Sequence, residues 1–142
     1  MIYPEDTFCV SLLHDVVEDY DVSLMEIESM FGERVADSVR RISKVIRGVK
    51  KDSAEYYGDI KECPISSIVK PADRIHNQQS MGGVFAVDHQ KLYIEETEEF
   101  IIPLVKSARH SFCEQECIYE SLKFTLESQI ELIKMIHEAG NL

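Results

Sequence analysis

Apolar residues recur along this chain at helical spacing almost from end to end, and that pattern predicts the elements. Phe8, Val10, Leu12, Leu13, Val16 and Val17 predict a first helix that is nearly all apolar, broken only by His14, Asp15, Glu18 and Asp19. A helix of that kind is expected at the centre of a core, where its polar residues must face a cavity or carry a cost. Ser23-Leu24-Met25-Glu26 has the pattern of a capping box and predicts a short helix ending near Phe31-Gly32. From Glu33 to Val45, residues Val35, Ala36, Val39, Ile42 and Val45 form one apolar stripe.

Residues 46–53 read as a basic connecting loop, after which Asp52 or Ser53 caps a helix reaching about Glu62. Pro64 suits the first turn of the next helix, with Ile65, Ile68, Val69, Ala72 and Ile75 facing inward and a kink at Pro71. Gly82-Gly83 breaks structure before a segment near 86–91. A long helix over about Leu92–His110 and a last one over about Glu114–Ala139 complete the chain, the latter packing through Leu122, Leu126, Ile130, Ile133 and Ile136. No repeat, low-complexity tract or convincing strand is visible. The expectation is one all-α domain, 1–142, of six to eight helices.

Composition narrows the function classes. A net charge of -11 argues against a nucleic-acid partner, which requires a basic face. No apolar run has the length of about 20 residues that a membrane span needs. The first residues lack a secretory pattern, and four cysteines in 142 residues do not make a disulfide scaffold, so a cytoplasmic protein without a membrane or nucleic-acid partner is expected. Cys9 and Cys63 read as core, and Cys113 with Cys117 as packing rather than a metal pair. Tyr56-Tyr57 also reads as packing. Arg40, Arg41, Lys44, Arg47, Lys50 and Lys51 form either a solvated helix face or a phosphate-attracting rim.

The candidate chemistry lies in Leu12-Leu13-His14-Asp15-Val16-Val17-Glu18-Asp19 and, far along the chain, Lys70-Pro71-Ala72-Asp73-Arg74-Ile75-His76-Asn77. On one continuous helix His14 would lie beside Glu18, and Asp15 beside Asp19. Buried carboxylates crowded on one strip repel each other, and a divalent cation relieves both that repulsion and the desolvation cost. His14 and Asp15 are then inner ligands and Asp73 a third from the later helix. Glu18 and Asp19 stand one turn on, where they can orient and deprotonate water. Ligand type leaves manganese, iron, zinc and magnesium open.

These two strings, with Val22–Val35 containing Phe31-Gly32-Glu33, Glu96-Thr97 and Pro103-Leu104, resemble the hydrolase domain of the RelA/SpoT alarmone family, in the wider HD-domain superfamily. The resemblance covers roughly residues 5–109, leaving a C-terminal helix over 111–142 outside it. It implies an all-α HD fold and manganese-dependent removal of the 3′-pyrophosphate from guanosine tetra- and pentaphosphate. It implies metal ligands at His14, Asp15 and Asp73, a water-activating pair at Glu18 and Asp19, and substrate contacts at Asn77, Ser80, Met81 and Arg74.

In the family a histidine about two dozen residues ahead of the doublet completes the ligand set. Here 13 residues precede His14, with no histidine, lysine or arginine among them. The resemblance therefore implies a form lacking the N-terminal helices, a three-ligand site, or a site without activity. His76, His89 and His110 are the remaining candidates for a substitute ligand. Bare surface left by missing helices would favour a homo-oligomer. The competing readings are an HD phosphohydrolase for another nucleotide and an inactive regulatory domain.

Overall fold

The computed structural model describes residues 1–140. Helix α1 (Pro4–Leu13) leads through a turn at His14-Asp15 into the single helical turn α2 (Val16–Asp19). Helices α3 (Leu24–Phe31) and α4 (Glu33–Ile42) follow, then a hairpin of β1 (Val45–Ile46) and β2 (Val49–Lys50), antiparallel with Val45 opposite Lys50. Helix α5 (Ser53–Lys61) precedes α6 (Ser66–Ser80), a 3-10 turn (Met81–Gly83) and α7 (Val87–Glu96). A π turn (Thr97–Ile101) joins α7 to α8 (Ile102–Ser111), and a second 3-10 turn (Cys113–Gln115) opens α9 (Glu116–Gly140). The architecture is an all-α bundle with one two-residue hairpin among the described residues.

Local chemistry explains several boundaries. Ser23 accepts from the Glu26 amide while Glu26 accepts from the Ser23 amide, closing the capping box at α3. Gly32, at φ 89°, takes a conformation costly for residues with a Cβ and turns the chain between α3 and α4. Asp52 accepts from the Ala54 and Glu55 amides and starts α5.

The spine is α6, which runs unbroken through buried Pro71. Its Ile68 belongs to a cluster with Tyr57, Ile60, Val105, Tyr119 and Leu126, and the adjacent Val69 to one with Val10, Ile27, Val35, Val39 and Ile65. Met81, Ile94 and Ile130 form a third cluster. Each fully buried aliphatic side chain contributes about 1.5–3 kcal/mol relative to exposure.

Four expectations are corrected. The first helix is not central: Thr7 and Val10 are buried, but Phe8 is 66 % and Leu12 67 % exposed. An all-apolar stretch can cover a core edge with one stripe only, and here His14-Asp15 also ends it. Residues 46–53 contain the hairpin, whose two-residue strands are too short to show alternation. The helix expected over 92–110 begins at Val87 and is interrupted by the π turn. Ala72 faces outward on α6, while Ile75 is half-buried.

Candidate metal and phosphohydrolase site

The end of α1 and the middle of α6 carry the two halves of the candidate site. His14 Nδ1 lies 2.7 Å from the Ser11 carbonyl, and donation there leaves Nε2 facing two carboxylates. Nε2 is 3.1 Å from Asp15 Oδ2 and 3.4 Å from Asp73 Oδ1. A lone pair aimed at two carboxylates is repulsive unless a proton or a cation stands between them. Without a cation, that role falls to a proton on Nε2. Hydrogen bonding to Asp73 is the main cause that raises the His14 imidazole to about 9, against the cost of burial, with the Ser11 carbonyl and Asp15 adding to it.

Asp73 is held from three sides. Its Oδ1 accepts from Asn77 Nδ2 at 3.1 Å, and its Oδ2 from Lys70 Nζ at 3.1 Å. Burial alone would push its carboxyl up, but His14 and Lys70 hold it well below the usual carboxylate range. Donors about 2.0–2.2 Å from one ion sit about 2.8–3.1 Å apart in octahedral sites and about 3.3–3.6 Å apart in tetrahedral ones, so each His14 spacing, taken singly, is one that two ligands of a shared ion can have. The ring nitrogen committed to a backbone carbonyl is also the usual way a ligating histidine is oriented. In donor chemistry, and in the two spacings from His14, these three side chains, His14, Asp15 and Asp73, suit a divalent cation. Among the described residues, no group of three or more His, Cys, Asp or Glu side chains is arranged to hold a metal ion.

The exposed carboxylates overturn one premise. Asp15's side chain is 60 % exposed against 14 % for Asp73, and Glu18 and Asp19 are exposed on α2. The break at His14-Asp15 divides the strip that a continuous helix would have formed, so burial cost falls on Asp73 rather than on the whole set. Glu18 is nonetheless fixed, because its Oε1 accepts from the Lys44 amide just before β1. An apolar cleft of about 490 Å3, lined in part by Phe8, Ile68, Val69, Ala72 and His76, opens onto His14 and Asp73.

Not every expected substrate contact reaches the surface. Asn77 is half-buried and occupied with Asp73, and Ser80 is exposed, its hydroxyl turned back to the His76 and Asn77 carbonyls. Met81 is buried in the third cluster with Ile94 and Ile130. Arg74, expected as a substrate contact, is 3 % exposed and turned into the bundle. Its Nη2 donates to Tyr57 Oη at 3.0 Å and to Glu96 Oε1 at 3.2 Å, and its guanidinium lies 3.9 Å above the Tyr93 ring. Among the described residues, Arg74 Nε is buried with no hydrogen-bond partner.

Sequence reading missed the roles of Lys70, Lys44, Tyr57 and Glu96. The only signal for Lys70 was its i,i+3 spacing from Asp73. Cys113 and Cys117, expected to pack, are exposed. Arg40 and Arg41 are neither a solvated face nor a free rim, since both pair with Asp37 and Asp59. His89 stacks on Phe85, with centroids 4.3 Å apart, and His110 is exposed near the end of α8.

Comparison with known proteins decides the kinship. Over 104 residues the chain is 35 % identical to the guanosine-3′,5′-bis(diphosphate) 3′-pyrophosphohydrolase of Aquifex aeolicus, a match covering 70 % of this chain and 15 % of that protein. The chain is related to the RelA/SpoT-type hydrolase domain. It is 32 % identical over 107 residues to the bifunctional (p)ppGpp synthase/hydrolase SpoT of Escherichia coli, covering 70 % and 15 %. It is 29 % identical over 109 residues to a probable 3′-pyrophosphohydrolase of Synechocystis, covering 70 % and 14 %. The match thus spans about 15 % of the length of these RelA/SpoT-type relatives. No protein-family model matches the chain.

Proposed function

We propose that this chain hydrolyses the 3′-pyrophosphate of guanosine tetra- and pentaphosphate, using a divalent cation, manganese, held by His14, Asp15 and Asp73. The supporting observation is the meeting of His14 Nε2 with Asp15 and with Asp73, which arrives from a separate helix. A molecule of net charge -11 needs a local cation to accept a polyphosphate. When bound, the cation supplies charge neutralisation at the phosphate oxygens and acidifies water.

The chain's own groups do the rest. Ser11 orients the imidazole, while Lys70 and Asn77 orient Asp73. The water oxygen forms the new bond to phosphorus, and the bond from phosphorus to the 3′-oxygen breaks. A carboxylate takes the water's proton, and the departing 3′-oxygen takes up one proton from solvent to leave as the hydroxyl. Glu18, anchored at the Lys44 amide, and Asp19 beside it are the two carboxylates open to solvent for that step.

The test is pyrophosphate release from guanosine tetraphosphate with added manganese, alongside a direct measure of bound metal. Release from the tetraphosphate but not from nucleoside triphosphates is expected. Cleavage of other nucleotides instead would move the substrate, and a protein that takes up no metal and cleaves nothing would overturn the reading in favour of an inactive binding domain.

A further inference from the structure

Glu96 ends α7 and is not among the residues that face His14, yet it ties both halves of the site together. Its Oε1 accepts from Arg74 Nη2 at 3.2 Å and from the Tyr57 hydroxyl, and Lys44 Nζ stands 3.8 Å away. Those three donors come from α6, from α5 and from the segment joining α4 to β1. Arg74 follows Asp73 directly, and successive helical residues point about 100° apart. Locking Arg74 inward therefore sets the direction in which Asp73 leaves α6. Lys44 works on the other half, because its backbone amide holds Glu18. One helical turn beyond Arg74, Gln78 Oε1 accepts from Thr97 at 2.8 Å, so the end of α7 and the start of the π turn grip α6 at two consecutive turns.

We propose that Glu96 is a positioning residue, which through Arg74 aims Asp73 and through Lys44 aims Glu18. Its usefulness to turnover rests on the hydrolase reading above; its mechanical role does not. A carboxylate is required because both positions it controls end in cations. A neutral side chain of the same shape can still accept from Tyr57 but cannot hold Arg74 and Lys44 by charge.

The isosteric Glu96→Gln variant tests this, with Glu96→Asp as a second variant that keeps the charge. The first readout is hydrogen exchange at the Lys44 amide, followed by NMR together with the core amides of Tyr119 and Leu126. In Glu96→Gln, Lys44 exchange is expected to rise at least tenfold while the core amides hold their protection, and Glu96→Asp should recover most of the loss. A merely structural role would lower protection everywhere together, and either that result or unchanged Lys44 exchange overturns the proposal.

The second readout is kinetic. With guanosine tetraphosphate and manganese, Glu96→Gln should lose tenfold or more in kcat with KM changed less than twofold, and unchanged kcat in an active protein also overturns the proposal. If the wild-type chain cleaves nothing, the hydrolase reading fails, and Lys44 exchange still decides the role of Glu96.

Discussion

His14 and Asp73 show how much one side chain depends on its immediate neighbours. Asp73 meets an imidazole, an ammonium and an amide. Replacing it by alanine leaves Lys70 and His14 facing an apolar gap. Asp73→Ala is expected to lower manganese affinity by at least 100-fold by isothermal titration, and to abolish hydrolysis with it. Glu18→Ala should spare metal uptake and slow turnover by about 10²–10⁴-fold, the usual worth of a proton acceptor. Equal metal affinity in wild type and Asp73→Ala would remove Asp73 from the ligand set.

Glu96 gives a pH dependence with a definite sign. Burial pushes its carboxyl up, but the Tyr57 hydroxyl, Arg74 and Lys44 together outweigh that and leave it below its ordinary value of 4.5. A depressed carboxylate adds stability that is fully present above its unfolded value and fades as pH falls through the folded one. Urea unfolding should therefore find wild type more stable than Glu96→Gln at pH 6, with the gap closing below about pH 4.5. A gap that widened in acid would contradict the assignment.

Among the elements, the capped helices were the most legible in the sequence. Ser23-Leu24-Met25-Glu26 states its own start, because both partners of the reciprocal hydrogen bonds lie within one turn. Ser23→Ala should cost about 1 kcal/mol in urea unfolding. The hairpin and the π turn were not legible, since two-residue strands have no period and one extra helical residue leaves the apolar spacing nearly intact. The exposure of α1 was hidden for a different reason. Periodicity reports which residues are apolar, not which of them find a neighbour. Accordingly Leu12→Ser is expected to change stability within about ±0.5 kcal/mol, while Val10→Ala in the core should cost about 2 kcal/mol.

At the scale of the whole molecule, long-range pairing decides what the motif could not. The sequence strings brought His14, Asp15 and Asp73 to attention as one set, and the bundle does bring them together. The same strings gave no warning that Arg74 turns inward, because its partners Tyr57 and Glu96 are supplied by two other helices. The two largest clusters meet on α6, and fully buried Tyr119 carries α9 into that junction, its hydroxyl 2.7 Å from Ser67 Oγ and 2.7 Å from Gln115 Nε2. Gln115 also donates to the Pro64 carbonyl and accepts from the Ile2 amide, linking the N-terminal residues and the start of α9 to the start of α6.

The widened turn over Thr97–Ile101 acts as a phase shifter between two helices that would otherwise be one rod. It lets α7 finish with a carboxylate directed to Arg74 while its own last residue, Ile101, and α8 residues Ile102 and Leu104 are directed to the core. Deleting a single residue there would rotate everything downstream by about 100°, so the chain could satisfy the ion cluster or the oily interior but not both. A loop insertion carries no such penalty, which makes these five positions less tolerant of a change in length than the loops.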